Sequence, residues 1–151
     1  MDGIRLTLRF SSLAAWSIVV SSSGCSQMRP LPPDSIRPVI LCVDDAEIAL
    51  RVRKLLLTIA GYQVVTAASG EEGLELFKRD AVDLVIADHF LTDKTGTEIA
   101  REMKTIKPHV PILIVSAAAE TPEGIEFADQ FLPKGEAPEV LLETIARLLK
   151  I

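Results

Sequence analysis

Asp44, Asp45, Asp88 and Lys134, with the hydroxyl of Ser116, are the residues whose types and placement carry chemistry. Each comes after a short apolar run. Val39–Val43 precedes Asp44 and Asp45, Leu84–Ala87 precedes Asp88, Pro111–Val115 precedes Ser116, and Gln130–Pro133 precedes Lys134. Three carboxylates held together repel one another, so one is protonated or a cation neutralises them. Carboxylate oxygens with room for backbone carbonyls and waters suit a hard divalent ion, and few protein ligands favour Mg2+. Such an ion leaves positions open for phosphate oxygens. Lys134 adds a mobile positive charge and Ser116 a hydroxyl donor. A carboxylate, Mg2+, an ammonium and a hydroxyl make a site for phosphoryl transfer, with Asp88 as the carboxylate able to act as nucleophile. Taken singly, these residues mean little: an Asp after a strand is most often a helix cap. Their joint occurrence at four strand ends carries the reading.

The elements that must bring them together are legible as alternating runs. Val39–Val43 is unbroken apolar sequence, the pattern of a strand buried on both faces. The next stretch predicts a helix with Ile48, Val52, Leu55, Leu56 and Ile59 on its inward face, opened by Asp44 or Asp45 and stopped at Gly61. Residues 62–66 form a shorter strand. Ser69 caps a helix whose apolar face is Leu74 and Phe77, with Glu71 and Glu72 at its positive end. A third strand lies within residues 83–87. Thr95 or Thr97 opens a helix carrying Ile99, Met103 and Ile106. Two more strands cover 111–115 and 130–133. Pro138 starts a last helix carrying Val140, Leu141, Ile145, Leu148 and Leu149. Alternating strands and helices imply βαβ units, a parallel sheet and helices on both faces. Such folds place their working crevice beyond the carboxyl ends of the strands, where all five residues fall.

The chain has 151 residues, one domain's worth, with 48% apolar and 25% charged residues, which is globular usage. Sixteen Lys and Arg against 21 Asp and Glu give a net charge of −5, so no basic surplus exists for nucleic acid. Cys25 and Cys42 are too few for a disulfide framework or a zinc site, and His89 and His109 lack metal-ligand spacing.

Residues 1–35 read as a leader without regular structure, ahead of a globular domain over 36–151. Arg5 and Arg9, a short apolar run over 13–20, and Ser21 to Gly24 before Cys25 make a signal-like layout with a lipoprotein-like cysteine. The apolar run is too short to span a membrane, so no stable insertion is expected. The preferred alternative is a mis-assigned start, with Met28 opening a Pro-rich tether to the first strand.

These motifs resemble a response-regulator receiver domain, similar to single-domain chemotaxis regulators. The matching residues are Val39 to Asp45, Asp83 to Asp88 with Gly96 eight residues on, Ile114 to Ala117, and Phe131 to Lys134; they cover residues 38–151. The resemblance implies a flavodoxin-like fold, a doubly wound five-stranded parallel sheet of order 2-1-3-4-5. It implies that Asp88 accepts a phosphoryl group from a histidine kinase or phosphotransfer protein. Asp45, Asp88 and the backbone carbonyl of Phe90 would bind Mg2+ directly, and Asp44 through water. Lys134 and Ser116 would contact the phosphoryl oxygens. Phe131 would turn inward as Ser116 moves, a bistable element biased by new charge.

Departures from the family pattern shape further expectations. Thr92 and Gly135 stand where prolines are common, and 17 residues separate Ser116 from Lys134, fewer than in typical members. With Pro122 and Gly124 in that segment, the fourth helix is expected to be one turn or absent. His89 is expected to be an exposed neighbour of the site. Phe90 and Ala118 flank it without a polar group to position water, so a phosphoryl group there would be long-lived. The end at Ile151 suggests a stand-alone receiver switching partner binding in a phosphorelay, acting in the cytoplasm where ATP-using kinases work. Lipid anchoring at Cys25 is the alternative. The competing functions are a phosphorylation-independent binding module and an aspartyl-nucleophile phosphatase, which would want a second Asp at position 90.

Overall fold

In the computed structural model, residues 37–117 and 120–151 are described in full, together with the backbone of three strands nearer the amino terminus. Those strands, β1 (Ile4–Arg9), β2 (Ala15–Val20) and β3 (Ser26–Pro30), form an antiparallel sheet of order β1-β2-β3. Where the composition predicts a leader without regular structure, the backbone pairs, in keeping with the alternation of Ile4, Leu6 and Leu8 with Arg5, Thr7 and Arg9. Cys25 and Ala118 lie outside the described residues.

The remaining elements run β4 (Val39–Val43), α1 (Glu47–Ile59), β5 (Gln63–Ala67), α2 (Gly70–Arg79), β6 (Leu84–Asp88), α3 (Gly96–Ile106), β7 (Ile112–Ser116), β8 (Gln130–Pro133) and α4 (Pro138–Leu149). Strands β4 to β8 pair in parallel in the order β5-β4-β6-β7-β8, which is 2-1-3-4-5 counted within this sheet. The fold is therefore flavodoxin-like, doubly wound α/β. Alternate strand residues feed two core layers. Leu41, Val43, Val85, Ala87, Ile112 and Ile114 pack with Leu74 and Phe77 of α2 and Ile99 and Met103 of α3. Ile40, Cys42, Leu84, Ile86, Leu113 and Val115 pack with Leu50 and Leu57 of α1 and Ile145 of α4. Burial pushes the Cys42 thiol up to about 12, so it stays protonated and inert at neutral pH.

The described part of the segment between β7 and β8 holds only a three-residue 3-10 turn, Ile125–Phe127, in place of a fourth helix. Gly124, at φ +83°, enters it against Thr97, a conformation that disfavours any other residue.

The structure corrects the reading of α1. Ile48, Val52 and Leu55 are 79%, 62% and 63% exposed, while Leu50 and Leu57 are buried. The inward stripe is Leu50, Arg53 and Leu57, and the charge in its middle makes the all-apolar stripe beside it look like the core face. Leu56 and Ile59 are half-buried. Ala46, without a side-chain cap, precedes α1, and Asp44 Oδ1 instead accepts from the Ala46 N–H at 2.9 Å. Ile106 at the end of α3 is 38% exposed, outside the core it was expected to join.

Helices α2 and α3 both start at side-chain caps. Ser69 Oγ accepts from Glu72 N and the Ser69 carbonyl from Gly73 N. Asp93, in the β6–α3 loop, accepts from Gly70 N at 3.0 Å and Glu71 N at 2.9 Å, which holds its carboxyl below the usual range. Thr95 and Glu98 form a reciprocal capping box on α3. Gly96 lies so close to β6 that a Cβ there would sit 2.5 Å from the Asp88 carbonyl oxygen and 2.9 Å from His89 Cα.

Asp93 contributes stability above its unfolded-state value, and the contribution is lost as pH falls through the lower folded value. Asp93→Ala is expected to lose about 0.5–1 kcal/mol at pH 7, discounted for exposure. Thermal unfolding at pH 7 and again below the ordinary carboxylate range checks this: the gap to wild type should shrink at the acid end. Gly96→Ala should cost about 1–3 kcal/mol by overpacking against fixed backbone, read in a urea titration.

Candidate acidic site at the carboxyl edge

Each site residue stands where its strand stops. Asp44 comes directly after β4, with its N–H on the Ala67 carbonyl at 3.1 Å and its side chain fully buried. Asp88 is the last residue of β6 and is 4% exposed. After it the chain turns tightly: the His89 carbonyl accepts from Leu91 N at 3.3 Å and Gly96 N at 2.8 Å, and Phe90 bridges Thr95. The Phe90 N–H approaches Asp88 Oδ1 at 3.4 Å, and its ring is exposed. Ser116 ends β7, fully buried, and its carbonyl accepts from the Lys134 N–H at 2.7 Å. That bond ties the backbone of the lysine to the neighbouring strand.

The topology brings the carboxylates together. One oxygen from each of Asp44, Asp45 and Asp88 lies within 4.8 Å of the other two, with Asp45 exposed and the others buried. Lys134 Nζ lies 3.0 Å from Asp88 Oδ2 and 3.5 Å from Asp44 Oδ2. Phe131, in β8, is half-buried against the core layer beneath α2 and α3. His89 is half-buried rather than exposed. Its ring meets that of Phe90 edge-on at 5.0 Å, and its Nδ1 is buried without a hydrogen bond.

Sequence reasoning missed one participant. Arg53 of α1 reaches from the inner face, placing Nη1 3.7 Å from Asp44 Oδ2 with its side chain only 11% exposed. Three carboxylates against two cations leave the cluster one net negative charge. A signal for Arg53 existed: it stands three residues after Leu50 and four before Leu57, on the stripe those leucines define. The site fits a divalent ion. Its donors are all carboxylate oxygens, and Asp44 Oδ2 is buried without a hydrogen bond. Such a hard set suits Mg2+, with Asp45 opening it to water.

The family model for the response regulator receiver domain matches residues 40–146. The chain is 36% identical over 110 residues to the transcriptional regulatory protein GlrR of Escherichia coli, covering 70% of this chain and 25% of that protein. It thus spans only a quarter of that relative's length. Among solved structures, a CheY-like receiver from Methanospirillum hungatei superposes with a TM-score of 0.72 at 31% identity, over 76% of this chain and 95% of that one. The response regulator TrrA of Thermotoga maritima, solved in complex with Mg2+-BeF, gives 0.71 at 30% identity, over 74% and 98%. Sheet order, acidic cluster and sequence likeness agree: the chain belongs to the response regulator receiver family, a phosphoacceptor signalling module of two-component systems.

Proposed function

We propose that this receiver accepts a phosphoryl group on Asp88 from a histidine kinase or phosphotransfer protein and thereby switches its contacts with a partner protein. The observation that carries the reading is Lys134 Nζ at 3.0 Å from Asp88 Oδ2, with oxygens of Asp44 and Asp45 inside the same 4.8 Å cluster. An Asp88 oxygen forms a bond to phosphorus as the donor's P–N bond breaks, and the imidazole leaves with that electron pair. Asp44, Asp45 and Asp88, with the Phe90 carbonyl, would hold Mg2+, which supplies charge neutralisation for the incoming phosphoryl oxygens. Lys134 moves with the phosphoryl oxygens, because its side chain is partly exposed and its partners are carboxylates it can exchange. Ser116 donates its hydroxyl to the same group, and Phe131 answers its movement as the switch.

Residues 36–151 are taken as the receiver domain, supported by the match to a CheY-like receiver over 95% of that chain, and residues 1–35 as a separate leader. Among the described residues no helix is long and apolar enough to cross a membrane. The cytoplasm is the proposed location, since a phosphoryl donor made from ATP is available there.

Intact mass after incubation with acetyl phosphate and Mg2+ should show one added phosphoryl group on the wild type. Asp88→Asn should show none, and Asp45→Asn should lose the Mg2+ dependence together with most of the product. No gain on the wild type, with Mg2+ bound normally, would replace this reading with a phosphorylation-independent binding module. The phosphorylated form is expected to persist for minutes or longer, because Phe90 presents no group to orient water. Phe90→Asn should shorten that lifetime several-fold in a time course of the same mass measurement; a wild-type half-life of seconds would contradict the expectation.

A further inference from the structure

Arg53 sits on the core-facing stripe of α1, where Leu50 and Leu57 flank it and an apolar residue would serve packing. Its side chain is only 11% exposed, and Nη1 is buried without a hydrogen bond. The facing atom, Asp44 Oδ2, is also buried without a hydrogen bond, 3.7 Å away. An ion pair of that kind is a poor source of stability, because both charges give up water and the two facing atoms form no hydrogen bond with each other. It does supply a fixed positive charge behind the acidic cluster.

The two cations at Asp44 Oδ2 differ in kind. Lys134 reaches it from the open side at 3.5 Å, contacts Asp88 as well, and its side chain is 32% exposed. Arg53 approaches from the core at 11% exposure and has no second ion-pair partner among the described residues. When Lys134 swings away, Arg53 remains.

We infer that Arg53 is a resident counter-ion of the acidic cluster, a positioning residue that weakens divalent-ion binding while keeping the ion-free pocket assembled. This rests on the proposed use of Asp44, Asp45 and Asp88 as the Mg2+ site. The physical argument is Coulombic. A charge fixed beside Asp44 neutralises part of the cluster in advance and repels an arriving dication through poorly screened protein. The cluster then tolerates the ion's departure, so binding and release are both readily reversible.

The test is the Mg2+ dissociation constant by calorimetry, with thermal unfolding in EDTA and in saturating Mg2+, on wild type, Arg53→Met and Arg53→Lys. Arg53→Met should bind Mg2+ about tenfold or more tightly, as expected for losing one nearby like charge. Its unfolding temperature should fall in EDTA and recover in Mg2+, so that the ion-induced shift exceeds that of wild type. Arg53→Lys should stay near wild type in both. A residue that only packs would lower both unfolding temperatures alike and leave the dissociation constant unmoved, and that result overturns the inference. So does Arg53→Lys binding as tightly as Arg53→Met, which would assign the effect to size. Should Arg53→Met fail to fold, Arg53→Gln is judged by the same criteria. A wild type that binds no Mg2+ and takes no phosphoryl group would overturn the proposed function itself. Normal phosphorylation with unchanged Mg2+ affinity in the variant would overturn only the role of Arg53.

Discussion

Like-charge repulsion among Asp44, Asp45 and Asp88 is the constraint on which the rest of the structure is built. Three carboxylate oxygens within 4.8 Å, two of the residues buried, do not stay together unaided. They are held by strand ends that cannot retreat. β4, β6 and β7 are buried on both faces, so sliding any of them would move apolar side chains out of both core layers at once. The bonds from Asp44 N to Ala67 O, His89 N to Val115 O and Lys134 N to Ser116 O carry the sheet registry past the last paired residues into the site. The stiffness that forces the charges together also makes a cation there effective.

The sheet class and the five residues of the carboxyl edge were legible because they depend on period and position, while the strand order came from the family resemblance. An apolar run buried on both faces has no register to misread, and the polar residue at its carboxyl end must lie at the sheet edge. The face of α1 was not legible for the opposite reason. A helix face is chosen by counting apolar residues around it, and a buried arginine in the true stripe transfers the count to the neighbouring one. Arg53 was therefore hidden by the same feature that makes it informative. Asp93 was hidden differently: its partners are the amides of Gly70 and Glu71, 23 and 22 residues earlier, and no local pattern announces a cap supplied from another loop.

The shortened crossover between β7 and β8 shows how the fold accommodates a missing helix. A helix packs by an apolar stripe, and a 3-10 turn of three residues has none. Polar ties from α3 and β7 add to the packing of Ile125 and Ala128 on the core. Lys104 pairs with Asp129, whose carboxylate accepts from Ile112 N at 2.7 Å, and Arg101 lies over the Phe127 ring at 5.6 Å. A Cβ at Gly124 would lie 3.1 Å from Cβ of Thr97, which stands two positions after the capping residue of α3. The segment leading to β8 is thereby fastened to the helix that begins at Gly96, just beyond the turn after Asp88.

That fastening bears on how a change at Asp88 can travel. Gly96 at the start of α3 lies within Cβ distance of the Asp88 carbonyl, and the last bond before Lys134 runs to Ser116. Two short mechanical routes thus leave the site, one through α3 to the 3-10 turn and one through β8 to Phe131. Both begin at the backbone rather than at a flexible side chain. On the proposed function, new charge on Asp88 draws Lys134 from its carboxylates while Arg53 stays behind Asp44. On that proposal, the 3-10 turn and Phe131, where the two routes end, are the places at which a change at Asp88 would show.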